Sequence, residues 1–250
     1  MREARPSPVF LAILAVFLGS GVLAWQSGGQ AEWVARLAVF VFVITGWVVS
    51  LSLHEFGHAY LAYRGGDHSV ASKGYLTLNP LKYSDIGLSF VLPILFVLIG
   101  GIGLPGGAVY VNRGAIPGRL RHSLISAAGP AANLVFAVAL AAIVVNLTSD
   151  RPAFWAALAF LAFLQVTAAV LNLLPVPGLD GFGIVEPYLP ARWAQAAAKV
   201  GAFGFLALIA LLWIPAVNRV FFTGVFAILE VLRIDPHLVY VGDRLFRFWT

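Results

Sequence analysis

Polar residues interrupt this chain so seldom that the gaps between them predict its elements. Nearly unbroken apolar runs occupy residues 9–25, 33–63, 125–147, 153–174, 200–214 and 216–232. A helix crosses the hydrocarbon of a bilayer in about 20 residues. The first four runs therefore predict spanning helices, the second with length to spare. The last two are shorter, and Pro215 between them reads as the turn of a tight helical hairpin. Residues 86–104 are apolar too, but Pro93 sits among them and a Gly/Pro-rich stretch, 100–107, follows, which is poor material for a straight helix.

The distribution of charge resolves that segment. With a cytoplasmic N-terminus and 86–104 turning back to the side it came from, Arg2, Arg5, Arg64, Lys73, Lys82, Arg113, Arg119, Arg121, Arg192, Lys199, Arg233, Arg244 and Arg247 all face the cytoplasm. Arg36, Arg151 and Arg219 then face outward. A full crossing by 86–104 would invert everything after it and erase this positive-inside bias. The expectation is an all-α membrane protein: a polytopic bundle of about six transmembrane helices. A re-entrant or hairpin element with short β structure lies at the cytoplasmic face, where non-helical backbone needs a protein or water-filled surround. Both chain ends are expected in the cytoplasm, with the tail 233–250 as an amphipathic interfacial segment. The N-terminus resembles a signal peptide, but further spans follow it and it is read as a retained anchor.

Composition agrees. Of 250 residues 60% are apolar and 11% charged, against about 25% charged in a soluble domain. The net charge of +5 fits basic loops at anionic lipid rather than nucleic-acid binding. There is no cysteine, so any metal must be held by His, Asp or Glu. No linker divides the chain, and residues 1–250 are read as one integral-membrane domain.

Candidate chemistry sits inside the second run. His54-Glu55-Phe56-Gly57-His58 places two imidazoles four residues apart, on one helical face, with a glutamate between them. Ionisable groups at that depth mark function. A catalytic zinc takes about three protein ligands and keeps an open position for water. His68, His122 and His237 lie in basic loops or the tail and read as solvated side chains. Asp180, in the Pro/Gly-broken segment 172–181, is the better third ligand, because the predicted topology brings it to the same face as His54 and His58. Glu55 is then a general base for a water whose pKa zinc lowers from about 16 to about 7. Asn172 reads as a cap of the broken helix or as a hydrogen-bond donor to an oxyanion. Asn133, in Gly129-Pro-Ala-Ala-Asn133, reads as an interhelical hydrogen bond or as a substrate contact.

Together these residues resemble the site-2 protease family of intramembrane zinc metallopeptidases. The chain carries its HExxH motif, its N-x-x-P-x-P-x-x-D-G motif (Asn172 to Gly181) and its Gly-Pro-x-x-Asn motif at Gly129, Pro130 and Asn133. The likeness covers about residues 33–183, with the hairpin 200–232 outside it. It is closest to the compact bacterial type, since no soluble stretch is long enough for a PDZ or CBS domain. Residues 103–112 depart from the Gly-Trp-Ala-x-Pro-Val-Pro-like turn usual there.

The resemblance implies one Zn2+ per chain on His54, His58 and Asp180, with Glu55 as base and Asn172 and Asn133 as substrate or oxyanion contacts. It implies a multi-pass protein of the bacterial cell membrane that cuts membrane-spanning proteins, with transcription regulators or remnant signal peptides among its products. A separate regulatory protein or prior trimming by another protease would select them. The stretch 100–107 with 108–111 is expected to hold an extended substrate by edge pairing. The rival readings are a divalent-metal transporter, which needs several weak sites along a path, and a non-proteolytic scaffold, which would not need Glu55.

Overall fold

Residues 4–27, 32–83, 109–146 and 150–249 are described in a computed structural model. Helix α1 (Pro8–Gln26) starts where Ser7 accepts the Phe10 N–H at 3.1 Å and Pro8 takes the first helical position, where its missing N–H costs nothing. Helix α2 (Glu32–Gly65) has 34 residues, about 50 Å of helix against a bilayer core of about 30 Å. Glu32 in its first turn and Arg64 in its last both suit the helix dipole. After the short α3 (Ser69–Ser72), α4 (Arg119–Asn146) packs along α2, and α5 (Pro152–Asn172) packs against both. Then come α6 (Asp180–Val185), α7 (Ala191–Leu212), α8 (Pro215–Val231) and α9 (Pro236–Phe246).

The core is built around α5, which has α1, α2, α4, α8 and α9 against it. Its buried alanines, among them Ala156, Ala159, Ala162 and Ala169, let those backbones come close, while Leu161 and Leu164 fill the space between. Lipid tails are as apolar as leucine, so close packing of this kind rather than hydrophobic exclusion holds spanning helices together. The approach is tight at α9, where a Cβ on Gly242 would lie 2.2 Å from the Ala156 carbonyl oxygen.

The helices α1, α2, α4 and α5 are each long and apolar enough to cross a membrane, and α8 with α9 makes a fifth candidate, bent by 113° at its break. Among the described residues, four helices meet this test, or five with the bent pair, where about six spans were expected. Arg192, Gln195 and Lys199 dilute the first half of α7, and Asn218, Arg219 and Glu230 dilute α8. The expected short β structure is not found among the described residues either. Residues 109–112 form no strand, because side chains take their backbone groups. Asp67 accepts the Asn112 N–H at 2.7 Å, and the Lys73 ammonium donates to the Tyr110 carbonyl at 3.3 Å. The segment 86–104, expected to be re-entrant, and the stretch 100–107 lie outside the described residues.

The two ends of the described chain sit at opposite ends of α2. The Ser7 N–H donates to the Thr77 carbonyl at 2.8 Å, beyond the C-terminal end of α2. Phe248 stacks edge-on to Phe40 and its carbonyl accepts from Arg36, near the start of α2. After the bend at the end of α8, α9 packs along α5 and α2 rather than lying free as a tail.

Candidate metal centre

Helical spacing stacks His54 and His58 on one side of α2, and both are buried. Each ring is held from behind. The His58 Nδ1–H donates to the Ile125 carbonyl at 2.6 Å, and His54 Nδ1 lies 2.6 Å from Asn133 Oδ1. A carbonyl can only accept, so His58 carries its proton on Nδ1 and turns the Nε2 lone pair inward. Pro130, inside α4, removes the N–H that would have bonded the Ser126 carbonyl, which loosens the helix beside Ile125.

The third group arrives from the break after α5. Short bonds from the Val176 N–H to the Leu174 carbonyl and from the Leu179 N–H to the Val176 carbonyl tighten the turn. Gly178 then takes φ +98°, a region that side chains disfavour. Asp180 follows as the first residue of α6. Its Oδ2 is 3.2 Å from His54 Nε2, its Oδ1 is 3.4 Å from His58 Nε2, and the two Nε2 atoms are 3.1 Å apart.

These separations test whether zinc fits. With bonds of about 2.0–2.1 Å in a tetrahedron, two ligand atoms lie about 3.3 Å apart; the edge between the two nitrogens agrees, and each nitrogen has one of the two Asp180 oxygens at close to that distance. Among the described residues Asp180 Oδ2 is buried without a hydrogen-bond partner, as a metal ligand would be. The space between the rings is kept clear by Gly129 of α4, where a Cβ would lie 2.3 Å from His58 Nε2 and 2.4 Å from His54 Nε2. Among the described residues, His54, His58 and Asp180 are the group able to hold a metal ion. His68, His122 and His237 do not join it.

Glu55 is buried next to this group, and its Oε2 accepts the Val109 N–H at 3.1 Å. Val109 begins the segment that Asp67 and Lys73 clamp to the end of α2. A cavity of about 350 Å³ adjoins the site, with Asp180, Ser126 and Gly183 on its wall and the Arg113–Glu186 ion pair among its lining groups.

Comparison with known proteins now bears on this group. Over 250 residues the chain is 48% identical to a Mycolicibacterium smegmatis protein provisionally named zinc metalloprotease Rip2, covering 100% of this chain and 96% of that one. The Mycobacterium tuberculosis H37Rv protein of the same name is 47% identical over 99% of this chain and 96% of its own length. A Bacillus subtilis protein, provisionally named zinc metalloprotease YwhC, is 29% identical over 72% of this chain and 83% of its own. The chain belongs to the site-2 protease family. No family model and no solved structure matches it. Zinc is accordingly the metal of this site-2 protease.

Two residues singled out by the family motifs take different places. Asn133 is in the site, but its amide is engaged by His54, Ser50 and Gln165. Asn172 is buried at the end of α5, and no hydrogen bond joins it to His54, His58 or Asp180 among the described residues. Reading the sequence missed Ser50, Gln165 and Val109. For Gln165 a signal existed: it is a polar residue in the middle of a run that is otherwise almost wholly apolar.

Proposed function

We propose that this site-2 protease is an intramembrane endopeptidase that cuts membrane-spanning protein substrates, with zinc on His54, His58 and Asp180 and Glu55 as general base. The observation that carries the reading is the meeting of His54, His58 and Asp180, their ring nitrogens and carboxylate oxygens 3.1–3.4 Å apart, beside buried Glu55 on a helix long and apolar enough to span a membrane. When bound, zinc supplies Lewis acidity, lowering the pKa of water and polarising a carbonyl. The Val109 N–H holds one oxygen of Glu55 and leaves the other to take a proton from the attacking water. Water oxygen adds to the peptide carbon and the C–N bond breaks. Glu55 returns the proton to the departing nitrogen, giving a carboxylic acid and an amine.

Further features support the site's setting. The polar cavity beside Asp180 offers water a way in from the end of the bundle that carries Lys73, Arg113, Arg119 and Arg121. Positive-inside bias places that basic end, with the N-terminus, in the cytoplasm. The tail at the far end of α2 then faces outward. Asn133, whose amide is already engaged, serves His54, which leaves Asn172 as the better candidate for a substrate contact.

The test uses the full chain reconstituted in lipid vesicles with a single-span substrate protein. Wild type should cut it, and Glu55→Gln should lower the rate by about 10²–10⁴-fold while still holding one zinc. Undiminished cleavage by zinc-loaded Glu55→Gln would refute the mechanism. Metal flux in both forms without cleavage would favour a transporter.

A further inference from the structure

Behind the metal centre lies a hydrogen-bonded chain that the proposed reaction does not use. Gln165 of α5 is fully buried, as are Ser50 of α2 and Asn133 of α4. Asn133 Nδ2 donates to Ser50 Oγ at 3.0 Å and to Gln165 Oε1 at 2.8 Å. The Ser50 hydroxyl also donates to Gln165 Oε1. These three residues, from three different helices, meet one turn of α2 from His54.

The direction of each bond follows from the metal. An imidazole that offers its Nε2 lone pair to zinc carries its proton on Nδ1. His54 Nδ1–H must therefore find an acceptor, and Asn133 Oδ1 is 2.6 Å away. With its oxygen committed, the Asn133 amide turns both N–H bonds toward Ser50 and Gln165. The Ser50 hydroxyl, accepting from Asn133, has its own proton left for Gln165. Gln165 must accept twice, through Oε1. Among the described residues its Nε2 is buried without a partner, and the contacts to Asn133 and Ser50 run through its oxygen.

The reverse chain is also closed and consistent. If both amides turned over, Gln165 Nε2 would donate to Asn133 Oδ1, and Asn133 Nδ2 would donate to His54 Nδ1. His54 would then carry its proton on Nε2, facing the metal position, and could not bind zinc. The two arrangements differ by a concerted turn of two side-chain amides, and only the first permits a ligand. Among the described residues, no backbone group fixes the His54 tautomer as the Ile125 carbonyl fixes that of His58.

We infer that Gln165 and Ser50 are positioning residues for the zinc site: they hold the Asn133 amide with its oxygen toward His54 and thereby keep His54 in its metal-binding tautomer. Removing the acceptor oxygen of Gln165 leaves Asn133 free to turn, and part of the unliganded protein then presents the wrong His54 nitrogen. The inference rests on the proposed ligand set, and the test separates the two.

The measurement is the zinc dissociation constant of the full chain in lipid nanodiscs, by competition with a chromophoric chelator. Variants are Gln165→Leu, Ser50→Ala, Asn133→Leu and the Asn133→Leu/Gln165→Leu pair. Gln165→Leu is expected to weaken zinc by about 10–100-fold, the range typical of groups that back a metal ligand. Ser50→Ala removes only one hydroxyl, keeps the test decisive should Gln165→Leu fail to fold, and should weaken zinc in the same direction. The pair should be no weaker than Asn133→Leu alone, because Gln165 acts through that amide. Cobalt in place of zinc should show shifted visible bands in Gln165→Leu.

Unchanged zinc affinity in Gln165→Leu and Ser50→Ala would overturn the inference, as would losses that simply add in the pair. His54→Ala is the control for the ligand set. If it retains zinc at wild-type affinity, the metal site itself is misassigned. If it loses zinc while Gln165→Leu does not, only the positioning role fails.

Discussion

Gly129 shows how little room the site allows a single residue. Its missing side chain is the space between two histidine nitrogens, and a methyl group there would lie 2.3–2.4 Å from both. Gly129→Ala should therefore abolish tight zinc binding while the bundle stays folded, measured as zinc per purified chain together with helical circular dichroism. Full zinc occupancy in that variant would contradict the ligand geometry. At this scale the sequence was most informative where contacts follow helical spacing, as for His54, Glu55 and His58. Asp180 was legible through topology, because the break after α5 had to fall at the same face. Gln165 and Val109 were not, since their partners Asn133 and Glu55 lie on other elements and no local spacing relates them.

The segment 109–112 carries the clearest lesson at the scale of elements. It was expected in a hairpin element with short β structure, yet strand formation depends on a fit to a pleated, half-buried surface. Here Glu55, Asp67 and Lys73 occupy the backbone groups that a ladder would use. Burial raises the Asp67 pKa, but the bonds from Ser69 and Asn112 and the charge of Lys73 outweigh it, so the carboxyl titrates below its usual range. A depressed folded-state pKa contributes stability that is present above the unfolded value of about 3.9 and lost as pH falls through the folded value. Asp67→Ala should release residues 109–112 from α2. Its expected phenotype is a several-fold slower cleavage at neutral pH with zinc content unchanged, since general bases respond steeply to misplacement. Equal rates for Asp67→Ala and wild type would show that the clamp does not serve Glu55. Pro215, expected to punctuate the chain, opens α8 shortly after α7 ends at Leu212. The bend beyond Val231 was hidden, because nothing local announces that Gly242 will seat α9 on Ala156.

For the whole molecule, long apolar runs made the helices of membrane-spanning length legible. What the runs could not give was the path of the C-terminal third, where amphipathic helices pack on the bundle and charged residues share their faces. Because the chain has no cysteine, single introduced cysteines can report on that path. Ser7→Cys and Trp249→Cys should react with a membrane-impermeant maleimide from opposite faces of oriented vesicles, and reaction from the same face would contradict the packing of α9.

The central claim, that His54, His58 and Asp180 hold one zinc with a position open for water, is tested most directly by zinc X-ray absorption on the purified chain. The account predicts four-coordinate zinc with two imidazoles and two oxygen ligands at about 2.0–2.2 Å. It also predicts that Asp180→Ala and His58→Ala each disrupt that shell. A wild-type shell of three or more imidazoles, or one left unaltered by Asp180→Ala, would contradict it.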